Sequence, residues 1–205
     1  MRSLVVLPVA LLAAASLGCS NDIREGRVVA AVIPAAGAAE PAAGAALAID
    51  PGKSKVQALG AKITGTHQVV FPSFAGELKL DGATPTAIQV TVNMGAMSSD
   101  HDKLTGHLKS PDFFDVGSFP TASFASTAIA TGSDVAGFTH TVTGDLNIHG
   151  VSKRVVFPAT ISVDGGAMKA RSEFVIDRQD FGIAYPGMPD DLIKDDVALT
   201  IDLAS

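Results

Sequence analysis

The stretch from His107 to Phe124, HLKSPDFFDVGSFPTASF, sets a histidine, a lysine and two aspartates among four of the chain's ten phenylalanines. Such residues build one of two things: a proton-transfer site with apolar walls, or a polar turn that closes an apolar core. General-base work by His107 needs a carboxylate to orient the ring, and the position two residues upstream is Thr105. The polar reading therefore places His107 and Lys109 at an opening, with Asp112 and Asp115 capping the turn around them. Phe113 and Phe114 then plug or hinge that opening, and Phe124 lines what lies behind it.

Five histidines invite a metal reading. His101 and His107 are six apart, which on a helix turns them to about 240° from each other. His140 and His149 are nine apart in a strand pattern, an odd spacing that sends them to opposite faces. There is no HExxH, no HxH and no pair of cysteines. No metal and no cofactor is expected. The tripeptide Asp180-Phe181-Gly182 lacks the glycine-rich and catalytic loops that would give it a phosphoryl-transfer meaning, and no nucleophile elbow is present. Arg178, between Asp177 and Asp180, reads either as a local ion pair fixing a turn or as an anion-binding guanidinium at an opening.

These groups need a frame, and most of the chain spells strands. Ile88, Val90, Val92 and Met94 alternate with Gln89, Thr91 and Asn93; Val142, Leu146 and Ile148 alternate with Thr141, Thr143, Asp145 and Asn147. The same period runs through Val155 to Val163, Met168 to Ile176 and Val197 to Leu203. Two earlier strands are expected over 55–66 and 69–81, bent at Gly60 and Gly76, and another over 118–130. About eight strands with one wet face form an antiparallel sheet, and closing it into a barrel hides its apolar side. The exception is a short helix from an Asp100 N-cap through Leu104 and Leu108, closed by Lys109 and stopped by Pro111. Val, Ile, Leu and Ala dominate the inward set, which suits a solid core and a hydrocarbon-lined cavity equally.

The chain has 205 residues, 47% hydrophobic but only 5% aromatic, with a net charge of −6 that argues against nucleic acid. Residues 1–18 read as a signal peptide, with a basic start and an apolar run too short to span a bilayer. The SLGC sequence ending at Cys19 matches a bacterial lipobox except for Ser16. It fits either lipidation of Cys19, with outer-membrane sorting favoured by Ser20, or ordinary cleavage and a soluble exported protein. Residues 19–48, rich in Ala, Gly and Pro, read as a flexible tether. Residues 49–205 form one domain.

Three segments in order, HLKSPDFFDVGSFPTASFAST, GDLNIHGVSKRV and DRQDFGI followed by IKDDVALTIDLAS, resemble the YceI-like family of exported bacterial proteins. The resemblance covers the whole 49–205 domain. It implies an all-β, eight-stranded, lipocalin-like antiparallel barrel with one short helix near its mouth. It also implies binding of polyisoprenoid or other long amphipathic lipids in the periplasm, homodimers in some members, and no established catalysis. The chain departs from the family pattern at Leu104 and Thr105, where relatives carry a basic and an acidic residue, and at Lys53, where a histidine is common.

With the alternation, this places a lipid tail among Phe71, Val90, Val92, Phe124, Val142, Leu146, Phe157 and Phe174. The head-group end is expected at His107, Lys109, Phe113, Phe114, Arg178 and Tyr185. Two other readings stay open: an enzyme acting on an amphiphile with His107 as base, and a filled barrel that serves as a structural or partner-binding module.

Overall fold

A computed structural model describes residues 22–35 and 44–205. The signal segment 1–18 and Cys19 lie outside the described residues. The strands are Val28–Val29 (β1), Ala31–Pro34 (β2), Ala45–Ala48 (β3), Lys55–Lys62 (β4), Gly65–Val70 (β5), Phe74–Asp81 (β6) and Thr84–Asn93 (β7). They continue with Ser98–Ser99 (β8), Thr121–Thr131 (β9), His140–Ile148 (β10), Val151–Asp164 (β11), Ala167–Asp177 (β12), Gly187–Met188 (β13) and Asp191–Ala204 (β14). The helix α1 spans Asp102–Lys109.

The main sheet runs β3-β6-β7-β9-β10-β11-β12-β14-β4-β5-β8 and curls into a half-barrel around one apolar interior. This is the expected lipocalin-like architecture, with one more long strand than expected. The two strands expected over 55–66 and 69–81 are in fact three, because the chain turns at Ile63-Thr64 and breaks at Pro72. Gly76 is a crossing rather than a bend: the Ile49 backbone N–H donates to its carbonyl, and the β6–β7 register shifts instead at Lys79/Leu80. The chain at 49–54 ties this edge to the far side, where Asp50 N–H donates to the Ala204 carbonyl at 2.8 Å.

The alternation seen in the sequence is clearest in β7, whereas β12 buries three residues in a row, Phe174, Val175 and Ile176. In β7, Ile88, Val90 and Val92 are buried while Gln89, Thr91 and Asn93 are exposed. A two-residue turn joins β10 to β11, where His149 (φ 53°) and Gly150 (φ 74°) both take the left-handed backbone of the hairpin turn that matches strand twist.

The 19–48 stretch is not a free tether where it is described. Strands β11 and β12 pair only from Thr160↔Arg171 to Asp164↔Ala167. Below that they splay, at Pro158, which has no N–H to offer β12. The N-terminal segment fills the splay: Val28↔Phe174 and Val29↔Val175 pair on one side, and Ala31↔Val156 through Pro34↔Lys153 on the other. Ala30, between the two runs, is buried in the core. Arg24 makes a two-pronged ion pair with Asp196 (2.6 and 2.8 Å), and Arg27 reaches Glu173 at 2.5 Å. Backbone pairing in an open splay, together with Ile23 buried against Ala61, Val175 and Ala198, orders this Ala- and Pro-containing segment.

The helix also starts later than expected. Its N-cap is His101, not Asp100, because the Asp100 carboxylate is turned to the His67 imidazole at 3.0 Å.

Candidate functional site

An apolar cavity of about 150 Å3 lies inside the half-barrel. Seven of the eight expected tail residues line it: Phe71, Val90, Val92, Phe124, Val142, Leu146 and Phe157. Phe174 does not reach the cavity. It stacks behind Phe157, with ring centroids 4.2 Å apart and planes 11° off parallel, and so backs the wall instead of forming it. Alanines 122, 159 and 170 keep the space open where larger side chains would fill it.

The cavity continues outward. A second space of about 550 Å3 lies between β4, β5, the start of β14 and α1, and its walls share Ala58, Phe71, Phe114, Arg178, Ile183 and Val197 with the inner one. Leu104 and Leu108 of α1 face this outer space, as does Phe113. The helix is thus a roof laid on the wide end by its Leu104/Leu108 stripe. Phe114 and Arg178 sit where the two spaces meet.

Ser172 is a buried polar residue on the inner wall that the alternation did not single out. Its hydroxyl donates to the Pro158 carbonyl at 2.6 Å, so it presents no unsatisfied group to the cavity. Among the described residues, no buried side-chain nitrogen or oxygen lacks a partner.

Arg178 is 6% exposed. Its guanidinium donates to the carbonyls of Ile183 (2.6 Å) and Lys194 (3.2 Å) and to the Asp195 carboxylate (2.9 Å). Neither flanking aspartate is its partner: Asp177 accepts from the Gln179 N–H and starts the tight turn Arg178–Phe181. Arg178 therefore pins that turn to the bulged start of β14, where the pairing with β4 slips between Ile193 and Val197.

His107, Lys109 and Tyr185 lie off both cavity walls. His107 has a carboxylate partner that the upstream position did not suggest: Asp112, five residues downstream, at 2.8 Å from Nε2. Its ring also meets Phe113 (4.9 Å) and Tyr185 (5.0 Å) edge-on. This cluster fastens the end of α1 to the loop after Phe181. The His107 and Asp112 side chains are 38% and 56% exposed, outside the apolar space a bound amphiphile would occupy. Asp115 takes a left-handed backbone (φ 40°), and its carbonyl accepts from Ser118 and Phe119.

The outer rim carries Lys62, Lys103 and Lys194 alongside Asp102. Lys62 holds Asp191 at 2.5 Å, and this contact, helped by Thr64, keeps the Asp191 carboxyl below the usual carboxylate range. His67 and His101 also stand on this rim. Their convergence is invisible to the helix and strand spacings, which compare residues within one element.

The family model described as YceI-like domain matches residues 47–205. A UPF0312 protein of Pseudomonas putida (strain W619) is 36% identical over 138 residues, covering 63% of this chain and 70% of its own. A UPF0312 protein of Pseudomonas fluorescens (strain SBW25) is similar to the same extent, 36% over 138 residues with the same coverage of both chains. Among solved structures, Burkholderia cenocepacia BcnA superposes with a TM-score of 0.66 at 24% identity, covering 77% of this chain and 99% of that one. A polyisoprenoid-binding domain from Saccharophagus degradans superposes with a TM-score of 0.61 at 14% identity, covering 77% and 95%. At these identities the two structures speak for the fold.

Proposed function

Because the chain belongs to the YceI-like domain family, we propose that it binds a long-chain isoprenoid or similar amphipathic lipid, without catalysis, to store or carry it. The observation that carries this reading is the continuous apolar space from the inner half-barrel to the roof of α1, walled by aliphatic and phenylalanine side chains. Each methylene moved from water into such a space contributes about 0.8 kcal/mol. A dozen carbons gain on the order of 10 kcal/mol before ordering costs are subtracted. No reacting group is needed for that. The tail lies in the inner cavity, and the polar end stands near Arg178 and the lysine rim.

A structural domain relative that is named for polyisoprenoid binding supports the ligand class. The enzyme alternative loses support from geometry, since His107 and Asp112 pair outside the apolar space. We also propose that the protein works in the periplasm, exported by residues 1–18 and held at the outer membrane through a lipid on Cys19. Transfer of the Cys19→Ser protein from the membrane to the soluble fraction checks that anchor.

The direct test of the ligand is extraction of the purified protein with organic solvent, followed by mass spectrometry. A near-stoichiometric prenyl lipid or other long amphiphile supports the reading. A protein that comes out empty and also ignores added lipid contradicts it.

A further inference from the structure

We propose that His67, Asp100 and His101 form a binding site for a divalent d-block cation, of the zinc(II), copper(II) or nickel(II) kind, on the rim of the outer cavity.

The placement follows from strand register. Strand β5 pairs with β8 through Val69↔Ser99 and Val70↔Ser98. Continuing that antiparallel register by two places sets His67 opposite His101, and directly opposed residues share a face with their β-carbons about 5 Å apart. The rings meet with centroids 5.7 Å apart. Asp100, one residue before His101, puts its carboxylate oxygens 3.0 and 3.1 Å from His67 Nδ1. One donor atom from each of the three residues lies within 4.8 Å of the others. Donors on a four-coordinate zinc with bonds of about 2.1 Å are about 3.4 Å apart, so small side-chain rotations close the set.

The backbone around the three is held independently of any ion. The His101 carbonyl accepts from Ser99 Oγ (2.8 Å), Thr105 N–H (2.9 Å) and Thr105 Oγ1 (3.2 Å). Asp100 N–H donates to the Gln68 carbonyl on β5 (3.3 Å). His101 occupies the N-cap of α1, yet its side chain makes no capping hydrogen bond. An ion pair that merely pinned this turn to β5 would need only one imidazole; the second has no such task.

Ligand chemistry sets the metal class. Two imidazole nitrogens with one carboxylate suit zinc, copper and nickel, whereas calcium and magnesium take oxygen donors. Three protein donors leave a fourth position open. Because His67 and His101 stand on the wall of the outer cavity, that position faces the cavity mouth, within reach of water or of an oxygen on a bound molecule.

The test uses the full chain with Cys19→Ser, so that no thiol competes for metal, stripped with chelator and titrated with zinc(II) and with cobalt(II). The expected result is one zinc per chain and a cobalt visible spectrum with the intensity of a four-coordinate site. His67→Ala and His101→Ala each weaken zinc binding at least ~10-fold, the scale of losing even an outer-shell partner. His107→Ala and His140→Ala leave it unchanged, and far-ultraviolet circular dichroism verifies that every variant is folded. The proposal is overturned by the absence of stoichiometric zinc binding, by a cobalt spectrum of the weak six-coordinate type only, or by zinc affinity that survives His67→Ala in a folded protein.

Discussion

The Phe124 ring lies over Gly144, so close that a β-carbon at position 144 would fall 2.4 Å from Phe124 Cζ and 2.7 Å from the Ala125 carbonyl oxygen. The bulge between Thr143 and Gly144, where the β9–β10 register shifts, sits at this contact. The missing side chain leaves room for the Phe124 ring against the β10 backbone, where it forms part of the cavity wall.

Gly144→Ala therefore forces both the ring and the β9 backbone to move. A destabilisation of about 1–3 kcal/mol follows from overpacking, read as a lower thermal midpoint. The displaced ring also narrows the inner cavity, so capacity for a lipid tail falls with it. An unchanged midpoint would mean that the strands part here more easily than the contact distances imply.

Arg178 is a buried cation with three partners. Arg178→Met removes the donors that satisfy Ile183 and Lys194 and leaves the Asp195 carboxylate without its guanidinium. Because the Asp195 side chain is 45% exposed, water recovers part of that loss. A cost of about 2–4 kcal/mol is expected, measured by denaturant unfolding. Arg178→Lys recovers only part of it, since one ammonium cannot span three acceptors arranged for a planar fork.

Deleting residues 1–35 uncovers the splay between β11 and β12. Amide hydrogen exchange should quicken along 153–156 and at 174–175, the stretches that β2 and β1 pair with. Exposed strand edges also promote self-association, so the truncated chain should elute larger on gel filtration. Unchanged protection along 153–156 would show that the N-terminal segment contributes nothing to that edge.

His140 and Asp191, with Asp50 beside Lys53, shape the acid limb of the stability curve. Burial holds the His140 imidazole below its ordinary range, so the folded state resists a proton that the unfolded chain accepts. Its contribution is full above about pH 6.5 and fades as pH falls from there. Asp191, depressed by Lys62, contributes above about pH 4 and loses that as pH falls further. In thermal melts from about pH 7.5 to 3, His140→Gln should flatten the decline that begins near pH 6.5, while Asp191→Asn should lower the midpoint throughout the range above about pH 4 and flatten only the decline below it. A His140→Gln melt series with the wild-type slope would assign the decline to other groups.

Period-two alternation made most of the barrel legible in the sequence. Ile88 to Met94 keeps one dry and one wet face, and a strand with such faces has one register that works. In β11 and β14 the outer face is covered as well, with Pro158 and Ala198 buried there. Ser172 escaped because a serine in an apolar series carries no mark of its partner, the carbonyl of Pro158 across a splay. The N-terminal segment escaped for a related reason: it is ordered by unpaired backbone on β11 and β12 and by a lone Ile23 buried on the outer face of the sheet, neither of which makes a periodic pattern. The Asp112 partner of His107 lies past the helix end, where helical spacing no longer applies. His67 and His101 are 34 positions apart, and only the β5–β8 pairing brings them together. Long-range register, rather than composition, separates what could be read from what could not.

The central claim is that the inner cavity takes a hydrocarbon tail. Stripped of bound lipid, the wild-type protein should bind a long-chain prenol one to one in a calorimetric titration. Ala122→Phe and Val142→Phe, which fill the inner cavity, should weaken that binding at least ~10-fold, the scale of about two lost methylenes, while thermal unfolding stays cooperative. His107→Ala should bind as the wild type does. Prenol binding that persists undiminished in folded Ala122→Phe and Val142→Phe proteins, or none in the wild type, would contradict the account.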